Sequence, residues 1–272
     1  MLINDHMAKY VEIPGGYLHY RTAGTGRDVV LCNAGAADLR MWESTLPWLS
    51  GAARVITFDY RDTGLSSAGT APYSEVEDIA AVFDAAGVTD ALLLGVSDGA
   101  RRALAFAHRY PARIRRVVAV GGTFGPFPDP NAEEETSRAL LPALFERIAR
   151  VRAAEGMHAS AAVDVDAWGP ALGRDQRRLM IGLEVANTHL VTLPDEEYLG
   201  TELDPPVKTR FAELAVPVSV LVGEHDLPAT RLWARRLAEQ VPDAELTALP
   251  EADHYPMLSA PAAFERFLRG LL

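Results

Sequence analysis

Ala91-Leu92-Leu93-Leu94-Gly95-Val96-Ser97-Asp98-Gly99-Ala100-Arg101-Arg102-Ala103-Leu104-Ala105-Phe106-Ala107 runs from an unbroken apolar stretch into an alanine-rich one, with a single serine between two glycines at the junction. An apolar run without alternation is the mark of a parallel strand covered by helices on both faces. The stretch from Gly99 to Tyr110 reads as a helix. A chain that turns from strand to helix within two residues needs small neighbours on either side of the turning residue. The new helix then aims its first N–H groups at any negative charge that develops beside the serine. The pattern G-x-S-x-G by itself is weak, since about one chain in ten of this length would carry it by chance. Its place between strand and helix gives it weight.

The same rhythm continues in both directions. Val29 to Cys32, Val55 to Phe58, Arg116 to Val120, Pro217 to Val222 and Ala244 to Leu249 read as further strands. Helices are expected over Asp38 to Leu49, Ser74 to Ala86, Ala229 to Val241 and Pro261 to Leu271. Ahead of them, Tyr10 to Thr22 reads as two extended segments around Pro14-Gly15-Gly16, a hairpin turn. The fold class is therefore α/β, a doubly wound and mostly parallel sheet. From Thr123 to Pro206 the strand rhythm lapses into helical segments near Glu134 to Gly156 and Arg174 to Thr188. The expected organisation is a core of residues 8–122 and 207–272 with a helical cap insertion over 123–206.

A serine hydroxyl becomes a nucleophile only when a base takes its proton, and the base in turn needs an orienting carboxylate. Both follow in chain order. Asp226 lies in Val222-Gly223-Glu224-His225-Asp226, just past one strand, and His254 in Glu251-Ala252-Asp253-His254-Tyr255-Pro256, just past the last. Carboxyl ends of parallel strands are where loops carry side chains over a sheet. Ser97, Asp226 and His254 are thus the candidate catalytic triad. The other histidines read differently: His108 as a helix C-terminal residue, His225 as pointing away from Asp226, and His158 and His189 as residues of the insertion.

With these residues in place the chain resembles the α/β-hydrolase superfamily over nearly its whole length, in particular 3-oxoadipate enol-lactonase-like members and small esterases of secondary metabolism. Asn33-Ala34-Gly35-Ala36-Ala37-Asp38-Leu39-Arg40-Met41-Trp42 is similar to the loop that supplies half of the oxyanion hole in such enzymes, with Asn33-Ala34 where most have His-Gly. The resemblance implies the backbone N–H groups of Gly35 and Asp98 as oxyanion donors. Asp59-Tyr60-Arg61-Asp62-Thr63-Gly64-Leu65-Ser66 is similar to the family's D-x-R-G-x-G-x-S turn, with Asp62 in place of its first glycine. Asp98 departs from the Met or Gln common after the serine. Its carboxylate is expected either to favour a protonated His254 and weigh against anionic substrates, or simply to serve as an acid in the first helical turn. Phe124, Trp168 and His189 are the candidate substrate-binding residues.

Composition narrows the partners. There are 37 acidic against 26 Lys and Arg residues, a formal net charge of −11, and no basic cluster that would reverse the field locally. Nucleic acid is therefore excluded as an expected partner. Cys32 is the only cysteine, so no internal disulfide can form, and a reducing cytoplasm is the expected compartment. No stretch approaches the roughly 20 apolar residues of a membrane span. No P-loop, G-x-G-x-x-G or H-E-x-x-H spacing appears, so neither a cofactor nor a metal is expected. Residues 1–7 read as a vector-derived leader, with Met7 as the natural start. The expected protein is a monomer or homodimer acting on a small molecule.

Three functions fit these residues. The first is hydrolysis of a carboxylic ester or lactone through an acyl-enzyme. The second is a biosynthetic tailoring reaction at the same site: methyl-ester removal, acetate elimination or C–C cleavage. The third, a ligand-binding relative without catalysis, would be marked by loss of a triad residue. Epoxide or haloalkane hydrolysis requires Asp at position 97 and is disfavoured.

Overall fold

The computed structural model describes residues 8–124, 127, 129–193 and 197–272, and the leader read at residues 1–7 lies outside them. Strands β1 (Lys9–Ile13) and β2 (Gly16–Ala23) form the antiparallel hairpin expected around Gly15. Next come β3 (Asp28–Cys32), a short helix α1 (Leu46–Leu49), β4 (Arg54–Phe58), β5 (Tyr73–Ser74), α2 (Glu75–Ala85) and β6 (Ala91–Val96). Then follow α3 (Asp98–Arg109) and β7 (Ile114–Val120). Helices α4 (Ala132–Arg138), α5 (Leu140–Glu155), α6 (Met157–Trp168), α7 (Arg174–Ala186) and α8 (Thr188–Thr192) intervene before β8 (Gly200–Thr201). The chain ends with β9 (Val218–Gly223), α9 (Pro228–Gln240), β10 (Ala244–Leu249), α10 (Pro256–Ser259) and α11 (Pro261–Arg269).

The main sheet has eight strands in the order β1-β2-β4-β3-β6-β7-β9-β10. The β2 to β4 pairing is antiparallel and every pairing from β4 to β10 is parallel. Alternate residues of each central strand go to opposite cores. Val30, Leu93 and Val117 meet α2, α3 and α9 through Phe83, Phe106 and Leu237, while Val29, Leu92 and Val118 meet Trp42, Leu49, Phe264 and Leu268. This two-sided burial is why the strands lack polar alternation. The second core continues into Ala161, Val165, Met180 and Leu183 of α6 and α7, which seats those helices on the sheet.

Two local expectations differ from the structure. The helix expected over Asp38 to Leu49 is broken into a 3-10 turn at Leu39–Trp42 and α1, because Pro47 has no N–H with which to continue the first turn. Between the two helical segments expected in the insertion stands α6, whose buried residues Ser160, Ala161 and Val165 are too small and too polar to mark a strong apolar stripe.

Candidate active site

Ser97 adopts φ 59° and ψ −122°, a conformation that L-residues avoid at a cost of about 1–3 kcal/mol. Its N–H donates to Val120 O at 2.9 Å, and its own carbonyl accepts from the Ala100 N–H at 3.0 Å, which tethers the turn to both β7 and α3. The flanking glycines are packing requirements. A Cβ on Gly95 would lie 2.1 Å from Gly99 O, and one on Gly99 would lie 2.3 Å from Asn33 O. Strand, elbow and helix can approach this closely only without those side chains.

Strands β9 and β10 end in register, Gly223 opposite Leu249, so the loops after them leave the same edge of the sheet. They bring Asp226 and His254 together. His254 Nδ1 lies 2.9 Å from Asp226 Oδ2, and the second carboxylate oxygen accepts the Leu227 N–H at 2.7 Å. Both residues are buried. With Nδ1 engaged by the carboxylate, Nε2 is the imidazole nitrogen left to act as a base. His254 and Ser97 share the wall of one cavity of about 460 Å³. Among the described residues the Ser97 hydroxyl has one hydrogen-bond contact, with Thr123 Oγ1 at 3.4 Å.

Further contacts hold the imidazole. The His254 main-chain N–H donates to Trp168 O at 3.2 Å, and the two rings lie 4.6 Å apart between centroids, inclined at 45°. The neighbouring Asp253 accepts the Ala171 and Tyr255 N–H groups, both at 2.9 Å. Beneath the pair lies Gly121 at φ +52°, where a Cβ would come 3.0 Å from His254 Nδ1 and 3.1 Å from Asp226 Oδ2. Its only sequence signal is the Gly121-Gly122-Thr123 run at the end of β7.

Gly35 and Asp98 both border the cavity, and a Cβ on Gly35 would be 3.4 Å from Asp98 Cβ. As the first residue of α3, Asp98 has an N–H with no acceptor inside the helix. Its carboxylate accepts from Arg101 Nε and Arg102 Nε, each at 2.6 Å. Glu75 completes the network by accepting both Arg101 terminal nitrogens and the Tyr198 hydroxyl. Burial alone would raise the Asp98 carboxyl, but the Arg102 and Arg101 charges hold it well below the usual carboxylate range. This corrects the expectation that Asp98 serves to favour a protonated His254 or to repel anions: two guanidinium groups already neutralise it.

The loop after β3 is held by its substituted residues. Asn33 donates to Phe58 O at 2.7 Å and accepts from Trp42 Nε1 at 2.9 Å. Asp59 accepts the Leu39 and Leu65 N–H groups at 2.9 Å and faces His19 Nδ1 at 2.7 Å. Asp62 stands at φ 66°, which glycine adopts freely and Asp tolerates, and it accepts the Gly69 N–H at 3.0 Å. From the end of α7, Asn187 accepts the Gly64 N–H at 3.0 Å and donates to Ala36 O at 3.2 Å. No motif announces Asn187.

Of the three expected substrate-binding residues, only Trp168 lines the cavity. Phe124 is corrected to a core residue: it packs on Phe211 with ring centroids 5.1 Å apart and does not border the cavity. His189 is corrected to an exposed residue of α8, while Leu190 and Leu193 border a smaller neighbouring cavity of about 250 Å³. The cavity wall also contains Met180, an apolar residue of the insertion, together with Thr123 and two carboxyl residues, Asp164 and Glu184, which no sequence pattern marks.

A family model described as alpha/beta hydrolase fold matches residues 29–261. The chain belongs to this family. As an α/β hydrolase it is 27% identical to "Putative carbamate hydrolase RutD" of Caulobacter sp. strain K31, over 97% of this chain and 95% of that protein. It is also 27% identical to zearalenone hydrolase of Cladophialophora bantiana, over 92% and 90%. Among solved structures, the enol-lactonase from Burkholderia xenovorans LB400 is 26% identical, with 96% and 98% of the two chains covered and a TM-score of 0.70. Among the described residues of this α/β hydrolase, no helix is long and apolar enough to cross a membrane.

Proposed function

We propose that the chain hydrolyses a carboxylic ester or lactone of a small molecule, with Ser97 as nucleophile, His254 as general base and acid, and Asp226 as the group that fixes the imidazole tautomer. The observation that carries this reading is a strained serine on the same cavity as an imidazole whose Nδ1 is 2.9 Å from a buried carboxylate. The similarity to a lactonase and to hydrolases named for carbamate and zearalenone adds support for acyl transfer to water.

In the first half-reaction His254 Nε2 takes the proton of Ser97 Oγ as that oxygen attacks the carbonyl. Serine–imidazole hydrogen bonds commonly tighten only when substrate docks, so the contact with Thr123 is compatible with this step. The N–H groups of Gly35 and Asp98 receive the oxyanion, and the first turn of α3 adds its dipole. Protonated His254 then delivers its proton to the leaving oxygen. Water, activated by the same nitrogen, releases the acid and restores Ser97. The Asp98 carboxylate contributes by being pinned: its two arginine bonds keep the backbone N–H of the same residue in place.

The deciding experiment is a panel of small esters and lactones assayed with the wild type and Ser97→Ala. Turnover is expected to fall by at least about a thousandfold, the usual loss on removing a triad nucleophile. Full activity in Ser97→Ala would refute the assignment.

A further inference from the structure

The segment that follows β7 reaches both halves of the candidate triad. Gly121 lies beneath His254 and Asp226, and two residues on, Thr123 sets its hydroxyl 3.4 Å from Ser97 Oγ. The Thr123 N–H also donates to Ser97 O at 3.4 Å. Between them Gly122 lets the main chain press onto its neighbours: a Cβ there would come 2.6 Å from the Phe124 ring and 3.3 Å from Ala100 Cβ of α3. Thr123 is therefore held by its backbone, and its β-branched side chain has few χ1 choices. Both hydroxyls border the cavity, and among the described residues neither has another hydrogen-bond contact. A hydroxyl oxygen has one proton to give and two lone pairs. To act as the nucleophile, Ser97 must give its proton to His254 Nε2 and one lone pair to the carbonyl carbon. The second lone pair is left over, and the Thr123 O–H is the group placed to occupy it.

We propose that Thr123 is a positioning residue for the nucleophile. Its O–H donates to Ser97 Oγ, so that with the serine proton directed at Nε2 the remaining lone pair is aimed at the substrate carbonyl. This rests on the ester or lactone reading of the site and adds a fourth side chain to it. Thr123 keeps its own proton throughout. In acylation the Ser97 proton passes to Nε2 as the Oγ–C bond forms. In deacylation that bond breaks, its electron pair returns to Oγ, and protonated His254 gives the proton back. Donation from Thr123 steadies the charge on Oγ while the bond breaks.

The test separates the hydroxyl from the shape of the side chain. Thr123→Val keeps the shape and deletes the hydroxyl, Thr123→Ser keeps the hydroxyl, and Thr123→Ala is a second deletion should the valine variant not fold. Two readouts are taken on the whole protein: kcat and KM for p-nitrophenyl acetate, and the rate of covalent labelling by a fluorophosphonate, which reports attack by Ser97 without any deacylation. The valine and alanine variants are expected to lose about tenfold in kcat and in labelling rate, the scale of one neutral hydrogen bond, with KM within about twofold of wild type. The serine variant should stay within about threefold of wild type in both readouts. Wild-type kcat and labelling in a folded variant without the hydroxyl would overturn the proposal. So would a change in KM alone, or equal losses in the serine and valine variants, which are the results a residue that only lines the wall or fills space would give. Ester hydrolysis that survives in Ser97→Ala, or a wild-type protein that the fluorophosphonate does not label at Ser97, would instead sink the catalytic reading, and the role of Thr123 with it.

Discussion

Replacing Gly121 by Ala probes the His254–Asp226 pair without touching either residue. At φ +52° an alanine costs about 1–2 kcal/mol in backbone strain alone. Its Cβ would also sit 3.0 Å from His254 Nδ1 and 3.1 Å from Asp226 Oδ2. Since ordinary contact needs about 3.4 Å or more, one partner must retreat by a few tenths of an ångström. A 2.9 Å hydrogen bond cannot lengthen by that much and keep good geometry. A displacement of about 1 Å in a catalytic group can cost a hundredfold, so a shift of this size should lower kcat/KM by about tenfold. Gly87→Ala is the matched control: φ is +65° there, and a Cβ would meet nothing within 4 Å. The two variants are compared by hydrolysis of a p-nitrophenyl ester and by urea unfolding. Both should lose about 1–2 kcal/mol of stability, and only Gly121→Ala should lose activity beyond its loss of folded protein. Wild-type kcat/KM in folded Gly121→Ala would refute the idea that this glycine keeps space for the pair.

Asp226→Asn should preserve the fold and lower kcat by about four orders of magnitude, because an amide no longer selects the tautomer with Nε2 free; a loss below tenfold would remove Asp226 from the triad. Glu184→Gln should change how stability depends on pH. Because its folded pKa of about 8 lies above the unfolded carboxyl value, the folded state binds more protons between those limits, and wild-type stability falls as pH rises from about 4.5 to 8. The Gln variant should lose that slope, becoming more stable than wild type by a few kcal/mol at pH 8–9; parallel curves from urea unfolding at pH 5, 7 and 9 would show that Glu184 ionises freely in the fold. Asn187→Ala removes bonds to Gly64 and Ala36 and should cost about 1–3 kcal/mol while slowing turnover through the Gly35 loop, so a variant impaired in stability alone would show the loop to be held by other contacts.

What could be read from the chain is what chemistry and backbone geometry force into local pattern. The glycines at 95 and 99 are visible because strand, elbow and helix backbones come within side-chain reach of one another. Asp226 is visible because it follows an apolar strand closely, and His254 because it follows the last strand in the expected chain order. Contacts between segments distant in sequence leave no such trace. Asn187 touches Gly64 and Ala36 across more than a hundred residues, and Asp164 meets Glu184 only because α6 packs on α7. The places of Phe124 and His189 leave no trace for a related reason: nothing in an apolar or imidazole side chain says which way its segment faces once folded over a sheet. The partners of Asp98 are local, since Arg101 and Arg102 lie three and four residues on, where one helical turn brings them back to it.

One residue that holds the imidazole, Trp168, also shapes the cavity. Trp168 gives its main-chain carbonyl to the His254 N–H, sets its ring 4.6 Å from the imidazole and gives its indole N–H to Asp164, so one residue joins α6 to both His254 and Asp164. A ligand that draws Asp164 toward itself would pull on the Trp168 indole, which lies against the His254 ring. Under the proposed mechanism, occupancy of the cavity and proton transfer at His254 would then be coupled. Substitutions at Asp164 should consequently alter kcat as well as KM for an ester substrate, while a change confined to KM would mean that the indole stays fixed whatever occupies the cavity.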